Sequence, residues 1–211
     1  MPESAPLDPE RLIRTLGRHD VAYVLIGALA ARLQGFPRLT ADADITPARD
    51  EENLARLAAA LRELAARVYT ESVPEGLPFD CRSATLARAD LWHLVTSAGR
   101  LDVAFTPSGT GGFEDLQSSA IRFEVFGVEI FASDLRDIIR SKEGADRPQD
   151  RQDVLAARDP APTGCRGVGR RDRMRISREG MAHGIPRCGP RIATSAASRA
   201  SPPRTHSLGC L

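Results

Sequence analysis

The sequence predicts an α/β domain in which helices pack on a mixed β-sheet, followed by a tail of different composition. The apolar stretch VAYVLI at residues 21–26 has the β-branched and aromatic character of a buried strand. Gly27 ends this strand where the chain turns into a short helix predicted over residues 28–34. Helix-like and strand-like patterns continue from there to residue 158 and then stop.

The remaining helices of the domain are predicted from capping residues and from apolar residues at helical spacing. Asp8 and Pro9 begin the first helix, and Asp50 is the N-cap of a longer one that carries a row of leucines. Ser133 and Asp134 begin another, and its apolar face is followed by Lys142. In addition to the helix of residues 28–34, helices are predicted at residues 7–18, 51–68, 113–119, 135–144 and 146–155.

Strand-like runs supply the sheet, and two pairs of them are predicted to form hairpins. The first hairpin turns at residues 97–100 and the second at Gly127. Residues 71–78 contain proline and glycine and are predicted to be a loop. The strands after the first are predicted at residues 40–47, 68–70, 92–96, 101–106, 121–125 and 128–131.

Charge divides the chain at about residue 159. Residues 1–159 carry 19 Lys and Arg against 26 Asp and Glu, a net charge of −7, whereas residues 160–211 carry 10 against 2, a net charge of +8. The second part is rich in Gly, Pro, Ser and Arg, and it has too few large apolar residues to offset the entropy of ordering. It is predicted to be a disordered tail, either a basic arm for RNA or an out-of-frame extension of the coding sequence.

Cysteine usage and hydropathy predict a soluble cytoplasmic protein. The four cysteines form no C-x-x-C pair, so neither a zinc site nor a disulfide framework is indicated. Residues 1–10 are acidic and proline-rich, unlike a signal peptide. No apolar run approaches the ~18 residues that a membrane span needs.

Three aspartates are candidate ligands of a hard divalent cation. Asp42 and Asp44 alternate along one predicted strand, which places them on the same face about 6.6 Å apart. Asp102 lies in another predicted strand and completes a triad if the two strands are neighbours. Mg²⁺ prefers oxygen ligands and is often held by one or two carboxylates together with substrate phosphates, so the pattern predicts a phosphate-transfer site.

The glycine turn, the D-x-D pair and the downstream aspartate together resemble the nucleotidyltransferase superfamily, the fold of polymerase-beta-like enzymes. The closer resemblance is to stand-alone bacterial domains related to abortive-infection nucleotidyltransferase toxins, and it covers roughly residues 8–158. The chain departs from that family at Ala28, where a second glycine or a serine is usual. The family signature is matched at Gly27, Ala30, Ala31, Gly35, Arg38, Thr40, Asp42 and Asp44.

The resemblance implies transfer of a nucleoside monophosphate from a nucleoside triphosphate to a hydroxyl on RNA, protein or a small molecule. It assigns Mg²⁺ or Mn²⁺ to Asp42 and Asp44, and it makes Asp102 either a further ligand of the metal or the base. It assigns the nucleotide to Gly27, Ala28, Arg38 and Lys142. It also implies a toxin of a toxin–antitoxin pair, with a cognate antitoxin as partner.

Two other functions stay open at the level of sequence. Ala28 offers no hydroxyl to a phosphate, which favours a non-catalytic module that binds a nucleotide or a partner protein. The basic tail favours an RNA-binding protein. Of the polar residues near the triad, Thr40 is expected to brace its strand, and His93 is expected to be packed or hydrogen-bonded rather than a ligand.

Overall fold

A computed structural model describes residues 6–36 and 40–145, together with the backbone of residues 174–176. Its strands are β1 (Tyr23–Ile26), β2 (Asp42–Pro47), β3 (Arg67–Thr70), β4 (Val73–Leu77), β5 (Leu91–Thr96), β6 (Gly99–Ala104), β7 (Ile121–Val125), β8 (Val128–Ala132) and β9 (Met174–Ile176). Its helices are α1 (Pro9–Arg18), α2 (Gly27–Leu33), α3 (Glu51–Glu63), α4 (Ser83–Leu86), α5 (Phe113–Ser119) and α6 (Leu135–Ala145).

The described strands form one mixed sheet in the order β4-β3-β5-β6-β2-β1-β8-β7-β9. β2 lies between β1, to which it is antiparallel, and β6, to which it is parallel. β1 is in turn parallel to β8. The predicted α/β architecture with a mixed sheet is therefore confirmed.

The central strands bury one face and leave the other half-exposed. In β2, Ala43 and Ile45 are fully buried and pair in register with the buried residues Leu101 and Val103 of β6. The same hydrophobic core contains residues of α1 and α3. Successive residues of a strand point to opposite faces, so the residues between these four lie on the other side of the sheet. Those residues include Asp42, Asp44 and Asp102.

One segment predicted to be a loop, residues 71–78, contains a strand. Val73–Leu77 forms β4 and pairs antiparallel with β3, although the segment includes Pro74 and Gly76. Proline is tolerated in an edge strand because it has no ladder bond to donate there, and β4 is the edge of this sheet. The register shift between Val68 and Thr70 marks the irregularity that accompanies this pairing.

The turn between β5 and β6 is two residues shorter than predicted. Thr96 pairs with Gly99, so the turn consists of Ser97 and Ala98 instead of residues 97–100. Gly99 has a φ of +97°, and the Thr96 hydroxyl donates to its carbonyl at 2.7 Å. The shorter turn shifts the register of the hairpin by two residues and places His93 opposite Asp102.

Most of the predicted tail, and the predicted helix at 146–155, lie outside the described residues. Within residues 160–211 the structure describes Met174–Ile176, which pairs in parallel with β7. The sequence pattern predicts no strand there, because three alternating residues do not stand out from the polar composition around them. Among the described helices none has the length and apolar character needed to cross a membrane.

Asn53 in the first turns of α3 ties the ends of β1 and β2 together. Its side chain is fully buried and makes three hydrogen bonds to backbone groups. Oδ1 accepts from the Ala22 N–H at 2.8 Å, and Nδ2 donates to the carbonyls of Ala22 and Ala48 at 2.9 and 2.8 Å. Asp50 caps the same helix by accepting from the Asn53 N–H at 2.9 Å, as predicted.

We expect Asn53→Ala to lower the free energy of unfolding by about 2–4 kcal/mol, because it leaves buried backbone groups without a partner. Urea denaturation followed by circular dichroism measures this change. Arg14→Ala is the matched control, since Arg14 makes only an exposed i,i+4 pair with Glu10, and its expected effect is below about 0.5 kcal/mol. Equal effects for the two variants would contradict the role assigned to Asn53.

Candidate active site

The three predicted carboxylates lie on one face of the sheet, on two neighbouring strands. Asp44 of β2 is the register partner of Asp102 in β6, and Asp42 pairs with Arg100 two residues earlier. Neighbouring strands lie about 4.8 Å apart, so Asp44 and Asp102 are adjacent across the ladder. The condition set by the sequence analysis, that these two strands be neighbours, is met.

Gly27 lies against the carboxylate of Asp44. Ile26 at the end of β1 pairs with Asp44, and the next residue turns the chain into α2. Gly27 has a φ of +67°, and a Cβ added there would lie 2.2 Å from Asp44 Oδ2. Only glycine therefore fits this turn while Asp44 keeps its position.

The other two carboxylates are each bonded to a side chain. The Thr40 hydroxyl donates to Asp42 Oδ1 at 2.7 Å, so Thr40 braces the entry to β2 as expected. His93 Nδ1 lies 2.9 Å from Asp102 Oδ2. The second oxygen of Asp102, Oδ1, is buried and has no hydrogen-bond partner among the described residues.

Burial raises the pKa of Asp44 to about 7, and the neighbouring charges of Asp42 and Asp102 add to the rise. The charge of Lys142 acts in the opposite direction and favours the carboxylate. A carboxyl group with a raised pKa beside like charges is typical of functional sites, because the arrangement costs stability unless a cation is bound.

The donor set fits a hard divalent cation by its chemistry. It consists of carboxylate oxygens, the ligands that Mg²⁺ prefers, and one of them, Asp102 Oδ1, is buried without a partner. Within residues 6–36 and 40–145, however, no three acidic, histidine or cysteine side chains converge closely enough to hold a metal ion. Asp42 and Asp102 are instead turned toward Thr40 and His93.

The structure describes three of the four residues predicted to bind the nucleotide. Gly27 and Ala28 form the first turn of α2, whose N-cap residue Ile26 makes no side-chain capping bond. Lys142 is half-buried on α6, and its charge acts on Asp44. Arg38 lies outside the described residues.

Two glycines hold the helix of Lys142 close to the end of β6. The loop that follows β6 contains Gly109, and a Cβ added at Gly144 of α6 would lie 2.9 Å from the Gly109 nitrogen. A Cβ at Gly109 would lie 2.8 Å from the carbonyl oxygen of Arg140. This close backbone contact links the strand of Asp102 to the helix of Lys142.

Sequence reasoning did not connect His93 and Arg100 with the site. His93 is hydrogen-bonded, as expected, but its partner is one of the three predicted carboxylates. Arg100, on the same face of β6 as Asp102, lies with its Cζ 4.0 Å from the centre of the Tyr69 ring. The alternation of Arg100 with Asp102 in the sequence was the signal that both lie on one face of the strand. The ring on which Arg100 packs belongs to β3, and no pattern in the sequence indicated that contact.

No family model matches the chain, and no curated protein matches it. Solved structures are similar to it in fold. One is a candidate nucleotidyltransferase from Thermotoga maritima, with 18% identity, a TM-score of 0.45, and coverage of 71% of this chain and 92% of that one. Another is the lincosamide antibiotic adenylyltransferase LnuA with lincomycin bound, at 16% identity and a TM-score of 0.48, covering 74% and 99%.

A third similar structure is ANT(2″)-Ia in complex with adenylyl-2″-tobramycin, at 17% identity and a TM-score of 0.44, covering 71% of this chain and 84% of that one. At these identities and TM-scores the three similarities assign no activity to the chain. The side chains described above are the basis of the proposed activity.

The raised pKa of Asp44 predicts a specific dependence of stability on pH in metal-free protein. Between about pH 4 and pH 7 the unfolded chain has lost this proton while the folded chain retains it, so rising pH favours unfolding. Relative to Asp44→Asn, the free energy of unfolding of the wild type should fall across this window by up to about 4 kcal/mol. Urea titrations with a chelator at several pH values measure it, and parallel curves would contradict the assignment.

We expect Gly27→Ala to disturb Asp44 as well as the backbone. The left-handed conformation costs an alanine about 1 kcal/mol, and the added methyl overlaps Asp44 Oδ2. Gly127→Ala is the matched control, because Gly127 has a φ of +78° and no atom within 4 Å of an added Cβ. Both variants should lose stability in urea, but only Gly27→Ala should weaken Mn²⁺ binding in calorimetry, by about tenfold or more.

Proposed function

We propose that this chain is a metal-dependent nucleotidyltransferase that moves a nucleoside monophosphate from a nucleoside triphosphate to a hydroxyl. The observation that carries the proposal is the meeting of Asp42, Asp44 and Asp102 beside the glycine turn at Gly27. Oxygen ligands and an approachable backbone turn are the two requirements of phosphoryl-type transfer, and they lie here on adjacent strands.

The carboxylates of Asp42, Asp44 and Asp102 would hold Mg²⁺ or Mn²⁺. The bound cations supply Lewis-acid activation of the attacking hydroxyl and neutralise charge on the leaving pyrophosphate. The raised pKa of Asp44 means that cation binding near neutral pH releases a proton from this carboxyl group. The donor set supports this assignment by its chemistry, and the bonds from Thr40 to Asp42 and from His93 to Asp102 leave one oxygen of each carboxylate that would bind the cations.

The triphosphate would lie over the turn at Gly27 and Ala28, with Lys142 as a point charge for a phosphate oxygen. No side chain caps the first turn of α2, so its backbone N–H groups would be available to the phosphate oxygens. The electrostatic effect of Lys142 on Asp44 supports its place beside the phosphates. Arg38, outside the described residues, remains a predicted second clamp.

In the transfer itself, the acceptor oxygen bonds to the α-phosphorus while the bond from that phosphorus to pyrophosphate breaks. The acceptor's proton goes to Asp102 Oδ1, the oxygen that has no hydrogen-bond partner among the described residues. RNA, protein and small molecules all offer a suitable hydroxyl. The toxin role and the cognate antitoxin stay predictions from the sequence resemblance.

A non-catalytic module is the second candidate function, and Ala28 favours it. This residue stands in the first turn of α2, where it contributes no hydroxyl to a phosphate. Such a module would bind a nucleotide with a divalent cation and transfer nothing.

The test incubates the purified chain with each α-labelled nucleoside triphosphate and Mg²⁺ or Mn²⁺, in separate reactions with total RNA, total protein and small hydroxyl compounds. We expect label in one acceptor class, and a loss of at least about a hundredfold in Asp42→Ala and Asp44→Ala. Glu52→Gln removes a charge on α3 that pairs with Arg56, away from the site, and should leave transfer unchanged.

The outcomes separate the two functions. Label moved by the intact chain and by Glu52→Gln, but by neither aspartate variant, supports the transferase. Metal-dependent nucleotide binding without transfer in any reaction overturns it in favour of the module. Transfer that survives in both aspartate variants overturns the assignment of the site.

A further inference from the structure

His93 makes the only hydrogen bond that the described residues provide to the Asp102 carboxylate. Its Nδ1 lies 2.9 Å from Asp102 Oδ2, and the two residues are register partners in the β5–β6 hairpin. The side chain of Asp102 is 19% exposed, while that of His93 is 47% exposed. The histidine therefore lies between solvent and a carboxylate that is mostly buried.

We propose that His93 is a positioning residue that fixes the rotation of the Asp102 carboxylate through its Nδ1–H. This inference rests on the proposed function, because it assigns Asp102 to the acceptor side of that reaction. With Oδ2 occupied by the imidazole, Oδ1 is the buried oxygen left without a partner, and it is the one that would bind the cation and take the acceptor's proton.

The direction of the hydrogen bond follows from the groups involved. An ionised carboxylate only accepts, so the proton of this bond belongs to Nδ1. Both the imidazolium and the neutral Nδ1–H tautomer provide that donor, and the orienting effect does not depend on a change of protonation. The bond also selects the tautomer in which Nε2 has no proton when the ring is neutral.

Asp42, like Asp102, has a hydrogen-bonding partner that orients its carboxylate, whereas Arg100 does not orient Asp102. Thr40 orients Asp42 from two residues away in the same segment, whereas His93 orients Asp102 from the next strand. Arg100 lies on the same face as Asp102 but packs on the Tyr69 ring and forms no ion pair with Asp102. Hydrogen-bonding partners of metal-ligating carboxylates commonly change metal affinity or activity by 10–100-fold when removed.

The test compares His93→Ala, His93→Asn and His93→Gln. The Asn side-chain amide places a donor near the position of Nδ1, while that of Gln places one near Nε2, so only Asn should restore the bond. We expect His93→Ala and His93→Gln to lower kcat by about tenfold or more, with KM for the nucleotide changed less than about twofold. His93→Asn should recover to within about threefold of the wild type.

A second readout does not require turnover. Mn²⁺ affinity, measured by calorimetry on each variant without nucleotide, should fall about tenfold in His93→Ala and recover in His93→Asn. His19→Ala is the matched control: His19 Nε2 lies 2.7 Å from Glu63 Oε2, an acid–histidine pair away from the site. It should change neither kcat nor Mn²⁺ affinity, and urea curves establish that each variant is folded.

The two readouts distinguish failure of this inference from failure of the proposed function. Absence of transfer by the wild type counts against the function, and Mn²⁺ affinity then decides the role of His93. The inference would be overturned if His93→Ala had the same Mn²⁺ affinity and the same kcat as the wild type. Equal recovery by His93→Asn and His93→Gln would also overturn it, because the position of the donor would then be irrelevant. Absence of Mn²⁺ binding to the wild type would overturn it as well.

Discussion

The position of β2 between β1 and β6 is the constraint on which the candidate site depends. Antiparallel pairing sets Ile26 of β1 beside Asp44, and parallel pairing sets Asp102 of β6 on its other side. Because β2 buries Ala43 and Ile45 against the core, a slip of one residue would turn the aspartates inward. The hydrophobic core thus holds the carboxylates on the exposed face of the sheet, next to the glycine turn.

This placement has an electrostatic cost that is concentrated at Asp44. The residue is part-buried between two other carboxylates, and its pKa of about 7 measures how unfavourable its charge is there. Lys142 offsets part of the repulsion, and its helix is held near the site by the contact between Gly109 and Gly144. Like-charged, partly buried groups of this kind reduce stability, and a cation that binds only the folded chain would recover it.

Short-range patterns made much of the site predictable. The spacing of Asp42 and Asp44 fixes a shared face in any strand, and Gly27 marks a turn that a side chain would obstruct. The contact of His93 with Asp102 could be predicted only from the correct register of the hairpin. That register depends on a turn of two residues instead of four. The predicted four-residue turn places His93 opposite Ala104, whereas the observed pairing of Thr96 with Gly99 places it opposite Asp102. Strand β4 was missed because an edge position tolerates its Pro74.

The groups on the two sides of the three aspartates differ, and this difference indicates where each substrate of the proposed reaction would bind. Toward β1 the site is bounded by the Gly27 turn, and the charge of Lys142 acts on Asp44; both groups are suited to phosphate oxygens. Toward β5 it is bounded by the exposed imidazole of His93 and by the buried oxygen of Asp102. A leaving pyrophosphate and an attacking hydroxyl need opposite sides of the α-phosphorus. In the proposed reaction the nucleotide would therefore lie on the side of Gly27 and the acceptor on the side of His93, so substitutions in β5 should change acceptor use before they change nucleotide binding.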